Sequence, residues 1–235
     1  MIRAILFDKD GTLLDFEATW TPVLKRLALE AAGGDARRAA ALLKAGGYIS
    51  ATGRFGAGSV IAAGTNAELV ELWYPELSGE RLDRAIAATN RAFHDHGERH
   101  AVIIDGVRGA LANLAADGWV MGVATNDATA AAKATLAAVG LGAYLPHVIG
   151  YDAVVNAKPA PDMVLAFAAL ADVRVGEVAV VGDNVHDMAM ARAAGAGQVV
   201  GVLSGNSSEA DLAPVADAVL PSVRDLPAWL HQNRK

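Results

Sequence analysis

Cysteine is absent from the 235-residue sequence, and aromatic residues make up only 6% of it. Without cysteine the chain has no disulfides, no thiolate nucleophile and no cysteine-ligated metal site. With so few aromatic residues, the 53% hydrophobic content comes mainly from Ala, Val and Leu. This content, beside 20% charged residues, favours a packed core and excludes a disordered chain.

Acidic residues outnumber basic ones by 26 to 20, so the formal net charge is −6 at pH 7. A general nucleic-acid binder needs a basic surface to displace counterions, so this balance argues against one. No apolar run approaches the roughly 18 residues of a membrane helix. The N-terminal sequence MIRAILFDKDG is too short and too soon acidic for a signal peptide. We therefore expect a cytoplasmic monomer or homodimer that binds neither nucleic acid nor membranes.

Short apolar runs, several of them rich in Val and Ile, punctuate the sequence. They are typical of buried strands in a mainly parallel sheet and lie at 2–7, 119–125, 147–150, 178–182, 199–203 and 218–220. Helical stretches separate the later runs, such as residues 107–117, which stop at Gly118. This alternation predicts an α/β fold, an open and mainly parallel sheet flanked by helices. Sites in such sheets gather at the carboxyl ends of the strands.

Residues 16–100 differ from the rest, because they carry helical patterns and no convincing strand. The first of these helices has an apolar stripe that includes Trp20, and Pro22 is tolerable in its first turn. We therefore predict two domains. Residues 1–15 and 101–235 form an α/β core, and residues 16–100 form an all-helical domain inserted after the first strand.

Polar side chains follow several of the predicted strands, or lie in the loops beside them. Seven of them are candidates for a site: Asp8, Asp10, Thr125, Asn126, Lys158, Asp183 and Asp187. Taken one at a time, these residues fit ordinary turns, helix caps or a solvated lysine. Parallel strands bring their carboxyl ends to one edge of the sheet, so we expect these side chains to lie together.

Three carboxylates in one place need a cation. Asp8, Asp10 and Asp183 would repel one another, by roughly 1–4 kcal/mol for a pair 4 Å apart at effective dielectric constants of 80 to 20. A hard divalent cation removes this penalty, and an all-oxygen site with room for water and phosphate fits Mg²⁺. Mg²⁺ and Lys158 would also neutralise a phosphoryl group that Thr125 and backbone donors orient.

The same residues suit phosphate-ester chemistry with a covalent intermediate. Asp8 is the predicted nucleophile, which attacks phosphorus. Asp10 is the predicted general acid and base: it protonates the leaving alcohol and then deprotonates the water that hydrolyses the aspartyl phosphate. Thr125 and Asn126 stand at a predicted helix start, where backbone N–H groups suit a bound phosphate.

The sequence resembles the haloacid dehalogenase superfamily in four motifs that occur in that family's order. The motifs are FDKDGTLLD at 7–15, TN at 125–126, KPAPD at 158–162, and GDNVHD at 182–187 followed by residues 189–195. The resemblance implies a Rossmann-like core. It also implies Asp8, the backbone carbonyl of Asp10 and Asp183 as metal ligands, with Asp187 as an outer-shell or alternative ligand. Lys9 stands where an apolar residue is commoner in the family, and we expect it to leave the chemistry undisturbed.

Position 10 separates the reactions within this superfamily. Dehalogenases usually lack an acid there, so Asp10 points to phosphate monoesters or to phosphomutase chemistry. The helical insertion resembles the caps of phosphoglycolate phosphatases and β-phosphoglucomutases, which close over the site and choose the leaving group. In the loop GRFGAGS at 53–59, Arg54 is the candidate for binding a substrate carboxylate or second phosphate. An arginine on a mobile glycine loop fits the sequence about equally well.

We therefore predict a Mg²⁺-dependent phosphatase for a small phosphorylated metabolite, with 2-phosphoglycolate as the leading substrate by resemblance. The nearest alternative is a phosphomutase that uses the same Asp8 and Asp10. It would be stimulated by a sugar bisphosphate and would release little inorganic phosphate. A non-catalytic phosphate-binding module is the third hypothesis, and it fails if Asp8→Asn abolishes a Mg²⁺-dependent activity.

Overall fold

The computed structural model describes residues 1–233, so residues 234 and 235 of the predicted core domain lie outside the described part. The strands are β1 (Ala4–Phe7), β2 (Tyr48–Ile49), β3 (Arg54–Phe55), β4 (Val120–Ala124), β5 (His147–Ile149), β6 (Val178–Gly182), β7 (Gln198–Val202) and β8 (Ala218–Leu220). The α-helices are α1 (Phe16–Ala31), α2 (Ala36–Ala45), α3 (Val60–Ala63), α4 (Asn66–Trp73), α5 (Gly79–His100), α6 (Val107–Ala116), α7 (Thr129–Ala138), α8 (Asp162–Leu170), α9 (Val185–Ala194), α10 (Glu209–Leu212) and α11 (Leu226–Gln232). Within residues 1–233, no helix is long and apolar enough to cross a membrane.

Six strands form one sheet in the order β5-β4-β1-β6-β7-β8, and every neighbouring pair is parallel. The central strand β1 pairs Phe7 with Val123 of β4 on one side and with Val181 of β6 on the other. The chain order reverses direction at β1, and such a switch point opens a crevice at the carboxyl ends of the strands. The predicted α/β fold is confirmed, and the residue after Phe7 lies at the middle of the sheet edge.

Alternate residues of β1 face opposite layers of helices. Ile5 and Phe7 belong to one apolar cluster, and Ala4 and Leu6 belong to another. All four are fully buried, as expected for a parallel strand covered on both faces. This double packing fixes the position of the loop that follows β1.

A third apolar cluster packs the helices of the insertion together. It includes Phe16, Trp20 and Trp73 and shares no buried residue with the two clusters of the sheet. The insertion consists of α1 to α5 with β2 and β3 between them. The division into two domains stays a prediction.

Two local features of the insertion differ from what its sequence predicts. The strands β2 and β3 form an antiparallel ribbon that pairs Tyr48 with Phe55, where no strand is expected. Each strand is only two residues long, which is too short for an alternating pattern to reveal. Pro22 lies inside α1 rather than in its first turn. The helix starts earlier than expected because Asp15 accepts the N–H of Ala18 at 2.9 Å and caps it.

Candidate active site

One cavity between the sheet edge and the helical insertion is lined by all seven of the polar residues predicted at the strand ends. They lie in the loops that follow β1, β4, β5 and β6, except Asp187, which is in the first turn of α9 after β6. Arg54 is not part of this lining. Its Nη2 donates to the carbonyl oxygen of Gly205 at 2.6 Å, and its Nε lies 3.5 Å from Glu17 Oε1.

Asp8 is held by a buried lysine. Lys158 Nζ lies 2.6 Å from Asp8 Oδ1 and 2.7 Å from Asp187 Oδ1, in two charge-assisted hydrogen bonds. Burial raises the pKa of Asp8 to about 6; Lys158 lowers that pKa, and the nearby Asp187 and Asp10 raise it. Burial opposes the charge of Lys158, but Asp187 and Asp8 raise its pKa above the usual value. Lys158 therefore stays charged and orients the Asp8 carboxylate.

Asp8, Asp183 and Asp187 form a carboxylate cluster, in which one oxygen from each lies within 4.8 Å of the others. Burial raises the pKa of Asp183 well above its ordinary value, and Asp8 and Asp187 raise it further. Thr12 Oγ1 donates to one Asp183 oxygen at 3.1 Å, and the N–H of Asn206 donates to the other at 2.9 Å. Converging, buried carboxylate oxygens are the donor set that Mg²⁺ takes in proteins, so these residues fit the predicted cation.

Two glycines make room for the Asp183 carboxylate. A Cβ atom at Gly11 would lie 2.6 Å from Asp183 Oδ2, and Gly11 also has a φ of +89°, which L side chains rarely adopt. A Cβ atom at Gly205 would overlap the same carboxylate. Gly11 belongs to the first motif, but Gly205 follows β7, where the sequence carries no recognisable motif.

The carboxylate of Asp10 is bound from two sides. Trp20 Nε1, from the insertion, donates to Asp10 Oδ1 at 2.6 Å, and Lys9 Nζ forms an ion pair at 2.6 Å with Oδ2. Lys9 Nζ also lies 3.4 Å from Asp127 Oδ2. Burial disfavours the charge of Lys9, but Asp10 and Asp127 raise its pKa above the usual value. Reasoning from the sequence misses this contact, because it does not show that the side chain between Asp8 and Asp10 turns inward.

Thr125 and Asn126 lie at the end of β4. Thr125 is almost completely buried, and its Oγ1 accepts the N–H of Asp127 at 3.2 Å. The Asn126 side chain accepts the N–H of Lys158 at 3.1 Å and donates to the carbonyl oxygen of Ala63 at 2.8 Å. Asn126 therefore ties the loop that carries Lys158 to the helical insertion, in addition to the predicted substrate contact, which stays a prediction.

The insertion supplies the other wall of the cavity, but the sequence did not predict which of its side chains form that wall. Its side chains there are mainly apolar, and they include Phe16, Trp20, Leu24, Ile61, Asn66 and Phe93. The apolar stripe of α1 indicates a core-facing helix. It gives no sign that the same stripe also reaches the cavity, because that depends on how the insertion packs onto the sheet.

Residues 2–195 match the haloacid dehalogenase-like hydrolase family, and the chain belongs to that family. A phosphoglycolate phosphatase from Yersinia pseudotuberculosis is 30% identical to it over 234 residues, which cover 96% of this chain and 91% of that protein. The "Probable phosphatase IndB" of Dickeya dadantii is 35% identical over 118 residues. That match covers 49% of this chain and only about half, 51%, of the length of IndB.

A solved structure shares the fold over the whole chain. The "putative beta-phosphoglucomutase" of Thermotoga maritima has a TM-score of 0.70 and 21% identity, and the match covers 99% of this chain and 100% of that one. The predicted family is confirmed by these comparisons. The chain is a member of the haloacid dehalogenase-like hydrolases, and the proteins it resembles include phosphatases.

Proposed function

We propose that the protein is a Mg²⁺-dependent phosphatase that hydrolyses a small phosphate monoester through an aspartyl-phosphate intermediate. The observation that carries the proposal is the ion pair of Asp8 with Lys158 at the middle of the sheet edge, with the acid Asp10 two residues further on. Membership of the hydrolase family and the similarity to phosphoglycolate phosphatases support the reaction class.

Asp8 acts as the nucleophile in this proposal. One carboxylate oxygen forms a bond to phosphorus while the bond from phosphorus to the alcohol oxygen breaks. Lys158 Nζ, 2.6 Å from Asp8 Oδ1, holds the carboxylate in place and places a positive charge beside the phosphoryl oxygens. The side chain of Thr125 would orient those oxygens. The N–H groups of Ala128 and Thr129 at the start of α7, where the sequence predicted a phosphate contact, instead donate to Asp127 Oδ1 and Asp152 Oδ1.

Asp10 moves the proton in both half-reactions. It donates a proton to the leaving alcohol oxygen in the first, and it accepts one from the water that attacks the aspartyl phosphate in the second. The hydrogen bond from Trp20 Nε1 and the ion pair with Lys9 fix the orientation of this carboxylate. Because Trp20 belongs to the insertion, the insertion takes part in positioning the acid.

Asp8, Asp183 and Asp187 would hold Mg²⁺, together with the predicted backbone carbonyl of Asp10. When bound, the cation would neutralise negative charge that builds up on the phosphoryl oxygens. Lys158 donates to both Asp187 and Asp8, so Asp187 also helps to hold Lys158 beside the nucleophile, in addition to its role at the metal. Arg54 stays a predicted substrate contact, although its present partners are Gly205 and Glu17.

The proposed substrate is a small phosphorylated metabolite, and the relatives make 2-phosphoglycolate the first ester to test. Phosphate release from a panel of phosphorylated metabolites, with and without Mg²⁺, tests the proposal, with Asp8→Asn as the control for contaminating phosphatases. We expect release that requires both Mg²⁺ and Asp8. No release from any ester would refute the hydrolase. Interconversion of sugar phosphates that depends on a sugar bisphosphate would identify the alternative phosphomutase. A cytoplasmic monomer or homodimer stays a prediction.

A further inference from the structure

The two walls of the cavity differ sharply in charge. The wall that the sheet provides carries the carboxylates of Asp8, Asp10, Asp127, Asp183 and Asp187 and the ammonium group of Lys158. The wall that the insertion provides is formed by aromatic and aliphatic side chains and by Asn66, and among the described residues it carries no charged side chain. A leaving alcohol that faces the insertion would therefore meet no cation there.

The backbone of residues 61–64 does not offer an anion site either. Residues 61–64 line the cavity, and their N–H groups are all used inside the insertion. Ile61 N–H donates to Gly46 O at 3.2 Å, and the next two donate to Ser59 O at 3.1 and 2.9 Å. The N–H of Gly64 donates to Val60 O at 2.9 Å. A carboxylate placed against this segment would lose its water without gaining hydrogen bonds.

The polar side chains of this wall, Trp20 and Asn66, leave a bound group at most one free N–H, the second one of the Asn66 amide. Trp20 Nε1 donates to Asp10, and Asn66 Nδ2 donates to Asn90 Oδ1 at 3.0 Å. Two buried nitrogens in the lining, Asn184 Nδ2 and His186 Nδ1, have no hydrogen-bond partner within residues 1–233. Both lie in the loop and first turn after β6, so they suit a phosphoryl or hydroxyl oxygen rather than a group that faces the insertion.

The size of the cavity limits the alcohol. Its volume is ≈ 90 Å³. A single buried water needs about 10–15 Å³ of such space, and the cavity exceeds that several times over. That is enough for a phosphoryl group and an alcohol of a few heavy atoms.

We infer that the site selects phosphate monoesters of small, uncharged alcohols with an apolar body, and that it discriminates against carboxylated alcohols such as glycolate. The inference rests on the proposed phosphatase function and concerns the leaving group of that reaction. A carboxylate on the alcohol would face a wall that carries no cation, across the cavity from a wall that carries five carboxylates. An aliphatic body instead packs against Trp20, Leu24 and Phe93.

A matched pair of esters tests this selection. Isobutyl phosphate and 2-phosphoglycolate have the same number and connectivity of heavy atoms, because two methyl groups replace the two carboxylate oxygens. With the wild-type protein and saturating Mg²⁺, we expect kcat/KM for isobutyl phosphate to be at least tenfold higher. An equal or higher kcat/KM for 2-phosphoglycolate would overturn the inference and leave the phosphatase proposal standing. Failure of the phosphatase proposal is recognised separately, by the absence of hydrolysis across the whole ester panel.

A charge placed on the apolar wall provides the reciprocal test. Asn66→Arg introduces a cation there, and we expect it to shift the ratio of the two kcat/KM values at least tenfold towards 2-phosphoglycolate. Asn66→Gln is the matched neutral variant, and we expect it to keep the wild-type ratio. The same shift in both variants would show that the loss of the Asn90 contact, not charge, controls the preference, and would contradict the inference.

Discussion

Lys9 offers the sharpest test of how the site is held together, through the substitution Lys9→Met. The side chain is fully buried, with its Nζ 2.6 Å from Asp10 Oδ2 and 3.4 Å from Asp127 Oδ2. Methionine has a similar shape but no charge, so the variant leaves two carboxylates without their cation. Removing one partner of a buried ion pair costs about 3–5 kcal/mol. We expect about 3 kcal/mol here, because Asp10 and Asp127 keep 19% and 13% of their side-chain surface exposed.

Thermal unfolding at pH 7.5 measures this loss, which corresponds to a fall in Tm of roughly 6–12 °C for a chain of this size. The pH dependence follows from the signs of the pKa shifts. The pKa of Lys9 is raised, so its stabilisation persists throughout the range from pH 5 to 8. Burial raises the pKa of Asp127, and Lys9 lowers it. Without Lys9 the Asp127 carboxylate protonates more readily as the pH falls, so the deficit of the variant shrinks towards pH 5.

Lys133→Met is the matched control, because Lys133 is exposed on α7. Its effect on the free energy of unfolding is expected to stay within about 0.5 kcal/mol. The reasoning would be refuted if Lys9→Met lowers the free energy of unfolding at pH 7.5 by less than about 1 kcal/mol, because breaking a buried ion pair costs more than that. Such a result would mean that the buried ammonium group contributes no more than its desolvation costs.

Three further outcomes are expected from the same structure. Gly205→Ala places a Cβ atom where the Asp183 carboxylate lies. Because this displaces a metal ligand, the Mg²⁺ concentration for half-maximal activity should rise by about 10–100-fold. An unchanged Mg²⁺ titration would contradict this. Trp20→Phe keeps an aromatic ring but removes the donor to Asp10, and it should lower kcat by about tenfold or more with little change in KM. Steady-state kinetics measure both constants, and an unchanged kcat would count against the role of Trp20. Because the pKa of Asp8 is raised to about 6, its contribution to the stability of the metal-free protein is present in acid and is lost as the pH rises through that value. Mg²⁺ should therefore raise Tm more at pH 7.5 than at pH 5, and an equal rise at both values would oppose the assignment.

The sheet was predictable because its strands are buried on both faces. Residues 178–182 and 218–220 form strands with the predicted bounds, since a short apolar run cut off by polar or glycine residues leaves little choice of ends. The ribbon of Tyr48 and Phe55 was not predictable, because two-residue strands carry no alternation. Its existence depends on a turn and on the packing of the two rings.

The strand-end residues of the site were also predictable, because parallel topology alone brings them to one edge. Asp8, Thr125 and Asp183 need no knowledge of side-chain packing to be placed together. Lys9 and Trp20 are different. The contact of Lys9 with Asp10 depends on its side chain turning inward, and the contact of Trp20 depends on how the insertion packs onto the sheet. The sequence marks Trp20 as a core residue of a helix, and only the tertiary structure shows its hydrogen bond to the acid.

The most direct test of the central claim is to trap a phosphoryl group on Asp8. The wild-type protein is mixed with Mg²⁺ and an ester that it hydrolyses, quenched in acid, and analysed by peptide mass spectrometry. We predict a phosphoryl group on the peptide that contains Asp8, which is lost without Mg²⁺ and absent from Asp8→Asn. Steady hydrolysis by the wild type with no phosphoryl group on that peptide, together with activity retained in Asp8→Asn, would contradict the account.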